Sequence, residues 1–205
     1  MDFFILAALI ATGAFVLKSR DQRKRIALLG GHLGQFQIEK LMETVTQGYL
    51  RCLGEDDPVR REQIWHLLEP SEKSLASQFS RFARGFSDVD PVQARVSKLP
   101  VTVPYVGHAF PGSTFDVRQA FAIHARGIAD AAANTRGLSP KARAFTMSAE
   151  LFLMQHTCHW FCRSKAVASA RMMARHQTTH QQLVDAVAPE TRRAYLALVE
   201  GAKPR

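Results

Sequence analysis

The feature that most constrains this chain is an uncharged run near its start, Phe3–Leu17, which is followed at once by a basic cluster, Lys18–Arg25. The run holds fifteen residues, and the cluster holds five positive charges and one negative charge. Fifteen helical residues extend about 22 Å, less than the roughly 30 Å hydrocarbon core of a bilayer. Met1 lengthens the run, basic side chains can reach the headgroups, and a bilayer thins locally at modest cost. The sequence therefore predicts a transmembrane anchor over residues 1–17.

A cleaved signal peptide and a buried core helix are the two alternatives to an anchor. A signal peptide begins with a positive segment and ends at a small-x-small site. This chain begins with Met1-Asp2, and the run ends with Phe15-Val16-Leu17, which excludes that class. A core helix stays open, but a run that is apolar on every side and abuts a dense basic cluster favours the membrane.

The basic cluster predicts the orientation of the anchor, because Lys and Arg near a span stay on the cytoplasmic side. The flank before the run has no Lys or Arg. We therefore expect a single-pass protein of the inner (cytoplasmic) membrane, with its N-terminus outside and the bulk of the chain in the cytoplasm. Five cluster residues are predicted to contact anionic lipid: Lys18, Arg20, Arg23, Lys24 and Arg25.

Small residues recur on one side of the predicted anchor, at Ala7, Ala11 and Ala14. Small residues at this spacing let two membrane helices approach closely, which predicts a homodimer. The alternative, which we favour, is that alanine is simply common in apolar helices.

Composition predicts one globular domain after the anchor, over residues 26–205, with residues 18–25 as a juxtamembrane segment. Of the whole chain, 46% is hydrophobic and 22% is charged, which excludes extensive disorder. The three cysteines show no paired spacing, which is typical of a reducing compartment. The net charge of +9 leaves lipid, nucleic acid and acidic proteins open as partners, although nucleic acid is the one we least expect.

Helical periodicity extends through almost the whole domain and predicts an all-α bundle. Gly30, Gly31 and Gly34 are expected to form a joint between anchor and domain. A helix is expected to end near Gly54, and Asp57-Pro58 and Ala188-Pro189 are helix-start signals.

Three further boundaries follow from the same signals. Pro70-Ser71 is expected to restart the chain, and Asp90-Pro91 to begin a short helix that ends near Leu99. Ser139-Pro140 is expected to begin the longest helical stretch, which extends to about Ala188, and whether it bends near residues 164–170 stays open.

The segment 99–113 is the clear interruption, because its three prolines and two glycines forbid a helix. Its valines favour extended structure, but no second strand is evident to pair with it. We expect an ordered loop that packs across the helices. The alternative is a partner-docking loop that uses Tyr105, His108 and Phe110.

Cys158, Cys162, His176 and His180 form the pattern Cys-x3-Cys-x13-His-x3-His. This spacing resembles the two-cysteine, two-histidine zinc finger, which implies a tetrahedral zinc site. On an unbroken helix Cys162 and His176 would lie about 21 Å apart, too far to share one metal. The alternative is that the cysteines are small core residues and the histidines flank a packing face.

Catalytic patterns are weak in this sequence. His156 and His159 are expected to be surface residues, and His108 and His124 could join them only through tertiary contacts. The leading expectation is a membrane-anchored, non-catalytic adaptor, scaffold or regulatory interaction protein without a cofactor, which binds lipid and either a protein partner or a second copy. The alternatives are a zinc-binding membrane-tethered regulator that contacts nucleic acid, and an enzyme.

Overall fold

The computed structural model describes residues 2–100 and 111–201, which form a bundle of eight helices with one two-stranded sheet. The all-α prediction is confirmed. The helices are α1 Asp2–Leu33, α2 Ile38–Leu53, α3 Pro58–Phe86, α4 Val117–Ala132, α5 Pro140–Cys162, α6 Lys165–His176, α7 His180–Ala186 and α8 Pro189–Glu200. The antiparallel strands are β1 Arg95–Ser97 and β2 Thr114–Asp116, with Val96 opposite Phe115.

Helix α5 lies at the centre of the bundle and contacts α1, α2, α4, α6 and α7. Beside it, aromatic rings of α3 and α4 form the densest part of the core. Phe82 and Phe86 each place their ring centroid 5.1 Å from that of Phe121 in edge-on geometry, which is favourable for aromatic pairs. These side chains are almost completely buried.

Several predicted helix boundaries are confirmed by the caps. Helix α2 ends at Leu53 with Gly54 as its cap, and Pro189 is the first residue of α8. The Asp57 side chain accepts a 2.9 Å hydrogen bond from the Val59 amide at the start of α3. The capping side chain satisfies an amide that the helix itself leaves unpaired.

Two boundaries in residues 70–99 were predicted wrongly. Helix α3 continues through Pro70. Proline has no amide hydrogen, so the His66 carbonyl loses its helical hydrogen bond. Both residues are exposed, so water can bond to this carbonyl instead. After Asp90 the chain forms a turn, in which the Asp90 carboxylate accepts a 2.7 Å bond from the Val92 amide. Strand β1 follows this turn. Its partner β2 lies just beyond the proline-rich segment and directly before helix α4, so its three residues were not recognised as a strand.

The helical stretch predicted from 139 to 188 is divided into three helices, because the chain turns twice. Ser164 caps α6 by accepting from the Val167 amide. Gln177 adopts a left-handed conformation (φ 50°), and Thr179 then forms a capping box with Gln182 at the start of α7. Helix α6 therefore folds back along α5.

The first two glycines of the predicted joint do not interrupt the helix. Helix α1 continues through Gly30 and Gly31 and ends at Leu33, just before Gly34. The Gly34 amide donates to the Gly30 carbonyl at 2.8 Å and closes the helix. The start of the chain and the first packed segment of the bundle therefore belong to a single helix. Over the part of the chain that the structure describes, no helix reaches the length and apolar character that crossing a membrane requires, so the predicted transmembrane helix is not supported.

Candidate functional site

The first half of α1 is apolar and exposed on all sides. We call residues 4–17 the apolar arm. Every side chain in the arm is exposed, with Phe4 at 78% and Phe15 at 71%. The Thr12 hydroxyl donates to the Ala8 carbonyl at 2.8 Å, so it needs no water partner. Soluble proteins seldom expose an apolar surface of this extent unless another apolar phase covers it.

The basic cluster divides between solvent and the bundle. Arg20, Arg23 and Lys24 are exposed, and Lys18 is half-buried. Arg25 instead pairs with Asp21 at 2.9 Å and donates to the Arg95 carbonyl at 2.9 Å. Three of the five predicted lipid-contacting residues are therefore exposed, whereas Arg25 joins α1 to the bundle.

The second half of α1 is fixed against α5. Arg163 donates to the Gln22 side-chain carbonyl at 2.6 Å, and the Arg25 guanidinium lies 5.4 Å from the centre of the Phe161 ring. These contacts join the middle of α1 to the C-terminal end of α5. Because α1 is continuous, these contacts also fix the direction in which the apolar arm leaves the bundle.

An apolar groove of about 410 Å³ lies on the opposite part of the bundle, between α2, α5 and α7. Its rim includes two exposed apolar side chains, Leu50 at 72% and Phe145 at 58%. Buried residues, among them Tyr49, Ala149 and Leu183, also line it. Sequence reasoning missed the groove, because the exposure of Phe145 is visible only in the structure.

The four residues of the zinc-like pattern do not converge. Cys158 and Cys162 are half-buried free thiols on α5, and burial raises the pKa of Cys162 to about 11. His176 stacks on Phe152 with a centroid distance of 4.0 Å, and His180 packs elsewhere. Because α6 folds back, the 21 Å separation calculated for an unbroken helix does not apply. Even so, in residues 2–100 and 111–201 no three His, Cys, Asp or Glu side chains are grouped to hold a metal.

Three histidines and a tyrosine form a cluster between α4, α5, α7 and α8. His156 and His180 stack with centroids 4.4 Å apart, and His180 Nε2 lies 3.2 Å from the Tyr195 hydroxyl. His124 packs against the same tyrosine at 5.5 Å. The prediction that His156 is a surface residue is wrong, because it is completely buried.

Hydrogen bonds and burial make this histidine cluster neutral. The Thr157 hydroxyl donates to the Leu153 carbonyl, so it accepts from His124 Nε2 at 2.9 Å. Burial lowers the pKa of His124 to about 3 and that of His156 to about 2. Burial likewise lowers the pKa of His180 to about 4. Histidines with these pKa values are neutral near pH 7 and carry no proton to donate as general acids.

Two buried carboxylates were also missed by sequence reasoning. Glu150 on α5 accepts a 3.0 Å bond from the Ala188 amide and thereby caps α8, whose own cap residue lacks a polar side chain. Glu72 on α3 accepts from both Tyr49 and Arg143, which joins α2, α3 and α5. Both glutamates sit on helices at positions where the sequence pattern does not separate buried from exposed polar residues.

The predicted docking residues Tyr105, His108 and Phe110 lie outside the described residues. The predicted helix-contact residues Ala7, Ala11 and Ala14 lie on the apolar arm and are exposed. No protein-family model matches this chain, and no curated protein or solved structure is significantly similar to it. Functional inference therefore depends on the arm, the groove and the charges between them.

Proposed function

We propose that this protein is a membrane-anchored, non-catalytic adaptor or scaffold. In this proposal the apolar arm inserts into the inner membrane with the N-terminus outside, and the helical bundle binds a partner protein on the cytoplasmic side. The observation that carries the proposal is that the exposed apolar arm and the packed half of α1 are one continuous helix.

The energetic argument for lipid insertion comes from the exposed side chains of the arm. Eight large apolar residues are exposed there: Phe4, Ile5, Leu6, Leu9, Ile10, Phe15, Val16 and Leu17. Transfer of one such side chain from water contributes about 1.5–3 kcal/mol when burial is complete. Coverage of the arm is therefore favourable by on the order of 10 kcal/mol. The exposed cations that follow would lie among the headgroups.

Vesicle flotation tests the anchoring. We expect the full chain to float with neutral phosphatidylcholine vesicles and the Leu9→Glu/Ile10→Glu variant to stay at the bottom of the gradient. Charged side chains cost several kcal/mol at membrane depth. Leu67→Glu is the matched control, because Leu67 is 76% exposed on α3 and away from the arm. Equal flotation of all three proteins would refute insertion through the arm.

The shape of the groove favours a helix as the bound partner element. Helix α2 contributes Thr46, Tyr49, Leu50 and Leu53, which recur at steps of one to three residues along one side. Helix α5 contributes a facing row at steps of one to three residues, from Ala144 to Phe152. Two such rows form the walls of a channel into which the apolar face of an amphipathic helix can pack.

A paired comparison tests the groove. Protein purified in mild detergent should retain its stoichiometric partner, and Leu50→Glu/Phe145→Glu should release it because two rim anchors become charged. Val59→Glu/Leu67→Glu is the control, since both residues are exposed apolar side chains of α3 outside the groove. Retention of the partner by the groove variant, or a monomer with no partner in the wild type, would contradict the adaptor function. A second copy of this chain as the partner would make the groove a dimer interface.

A further inference from the structure

We propose that the bundle itself carries a binding surface for anionic lipid headgroups at the turn between α5 and α6. This junction surface consists of Leu99, Arg163, Lys165 and Val167. The proposal rests on the proposed insertion of the apolar arm, because the arm fixes which end of the bundle faces the membrane.

The height of the junction surface above the lipid follows from helix geometry. Arg163 bonds to Gln22, which is five residues after Leu17, the last residue of the apolar arm. Five helical residues rise about 7.5 Å. The polar layer of a bilayer is about 5–8 Å thick on each side of the hydrocarbon core. The Arg163 guanidinium is therefore placed at the depth of the phosphate groups when the arm is embedded.

The chain around the junction is tied to the same end of the bundle. Trp160 donates to the Ser97 carbonyl at 2.8 Å, and the Ala166 amide donates to the Pro100 carbonyl at 3.1 Å. These bonds hold Leu99 beside the start of α6. Leu99 and Val167 are exposed apolar residues, and Lys165 lies 5.2 Å from the centre of the Trp160 ring. Apolar side chains mixed with cations are typical of surfaces that lie in the interfacial layer.

The charge of this end favours an anionic ligand. The sequence from residue 151 to residue 184 contains no Asp or Glu. On α1, the acidic Asp21 is paired with Arg25, while Arg20, Arg23 and Lys24 are exposed. Arg163 and Lys165 therefore add to an existing positive field instead of standing alone. Arg163 and Lys165 are half-buried, and Arg163 keeps its bond to Gln22, so both act on a phospholipid headgroup through their charge.

Lipid is favoured over nucleic acid because the basic residues lie beside an apolar arm. A duplex that approached the junction would have to contact the arm or displace the membrane that covers it.

A basic residue close to an anionic membrane surface changes partitioning about fivefold. Loss of both Arg163 and Lys165 should therefore weaken binding to anionic vesicles about 25-fold and leave binding to neutral vesicles unchanged.

The experiment compares the full chain on neutral phosphatidylcholine vesicles and on vesicles with about 30% phosphatidylserine, near physiological salt. We expect the anionic preference to fall about 25-fold in Arg163→Gln/Lys165→Gln. Arg60→Gln/Lys141→Gln is the matched control, because both residues are exposed. Lys141 is 22 residues from Arg163 along α5, or about 33 Å, several Debye lengths away. The control should keep the full preference.

Two further variants separate charge from folding. Lys165→Gln alone leaves the Gln22–Arg163 bond intact and should lower the preference about fivefold. Arg163→Lys/Lys165→Arg keeps both charges and should keep most of the preference. Wild-type protein that ignores neutral vesicles but binds anionic ones through these residues would refute the anchor and support the junction surface.

Two results would overturn the junction surface. The first is an equal anionic preference in the junction variant and the control. The second is loss of binding to duplex DNA in Arg163→Gln/Lys165→Gln with unchanged vesicle preference, which would assign the surface to nucleic acid.

Discussion

Replacement of Glu150 by glutamine is expected to change the pH dependence of stability in a defined direction. Glu150 is completely buried, and it accepts from the Ala188 amide. Burial raises the pKa of its carboxyl from 4.5 to about 7, and the bonds from Thr191 and Ala188 oppose the shift only partly. The folded protein therefore holds this proton at pH values where the unfolded chain has already released it.

The sign of the effect follows from proton linkage. Between pH 4.5 and 7 the folded state binds more protons at this site, so its contribution to stability falls as the pH rises. Below 4.5 and above 7 both states carry the same charge and the contribution is flat. The pKa difference is about 2.5, which corresponds to about 3 kcal/mol across the window. Glutamine has nearly the same shape, can still accept from Ala188, and does not ionise.

The assay is urea unfolding of the full chain in mild detergent, followed by helical circular dichroism at pH 5, 6, 7 and 8. The free energy of unfolding of Glu150→Gln minus that of the wild type should rise by roughly 2.5 kcal/mol from pH 5 to pH 8, because part of the window lies below pH 5. Subtraction cancels the other titrating groups. Glu43→Gln is the control, because Glu43 is exposed on α2. A difference that is flat with pH, or that falls, would show that Glu150 is ionised in the folded protein.

Two other substitutions test the buried polar groups. Glu72→Gln should lower the free energy of unfolding by roughly 3 kcal/mol, because Arg143 is 17% exposed and loses its buried carboxylate. Glu62→Gln, on the same helix but exposed, should change it by less than about 0.5 kcal/mol in the same urea assay. The depressed pKa of His124 means that acid favours the unfolded state between pH 6.5 and about 3. His124→Gln should therefore reduce the stability lost between pH 6.5 and 5 by about 2 kcal/mol, whereas an unchanged acid slope would mean that His124 is not buried neutral.

The all-α class and several helix starts could be predicted because they depend on local signals. Asp57-Pro58 and Ala188-Pro189 combine residues that favour a helix start whatever surrounds them. The turn at Ser164 could not be recognised in the same way, because its only signal is one serine within a run of helix formers. The energy that fixes this turn comes from the packing of α6 along α5, which is a tertiary effect.

The same distinction between local signals and tertiary contacts applies to the candidate sites. The apolar arm and its basic cluster are visible in the sequence, because an uninterrupted apolar run and a charge run are both local. The role of Arg25 was missed, since its partners Asp21 and the Arg95 carbonyl include one that is seventy residues away. The buried state of His156 was missed for a related reason: a histidine on a helix flank is covered only once α7 returns to it.

The continuity of α1 has a mechanical consequence for the proposed adaptor. A flexible linker would let the bundle sample many heights above the membrane, whereas a continuous helix fixed by the Gln22–Arg163 bond holds one height. The groove residues Phe145 to Phe152 lie 11 to 18 residues from Arg163 along α5, or about 17–27 Å along the helix axis. A partner helix seated there would be held at that distance and in one orientation. The combination of arm, junction surface and groove therefore suits a scaffold that positions its partner relative to the membrane.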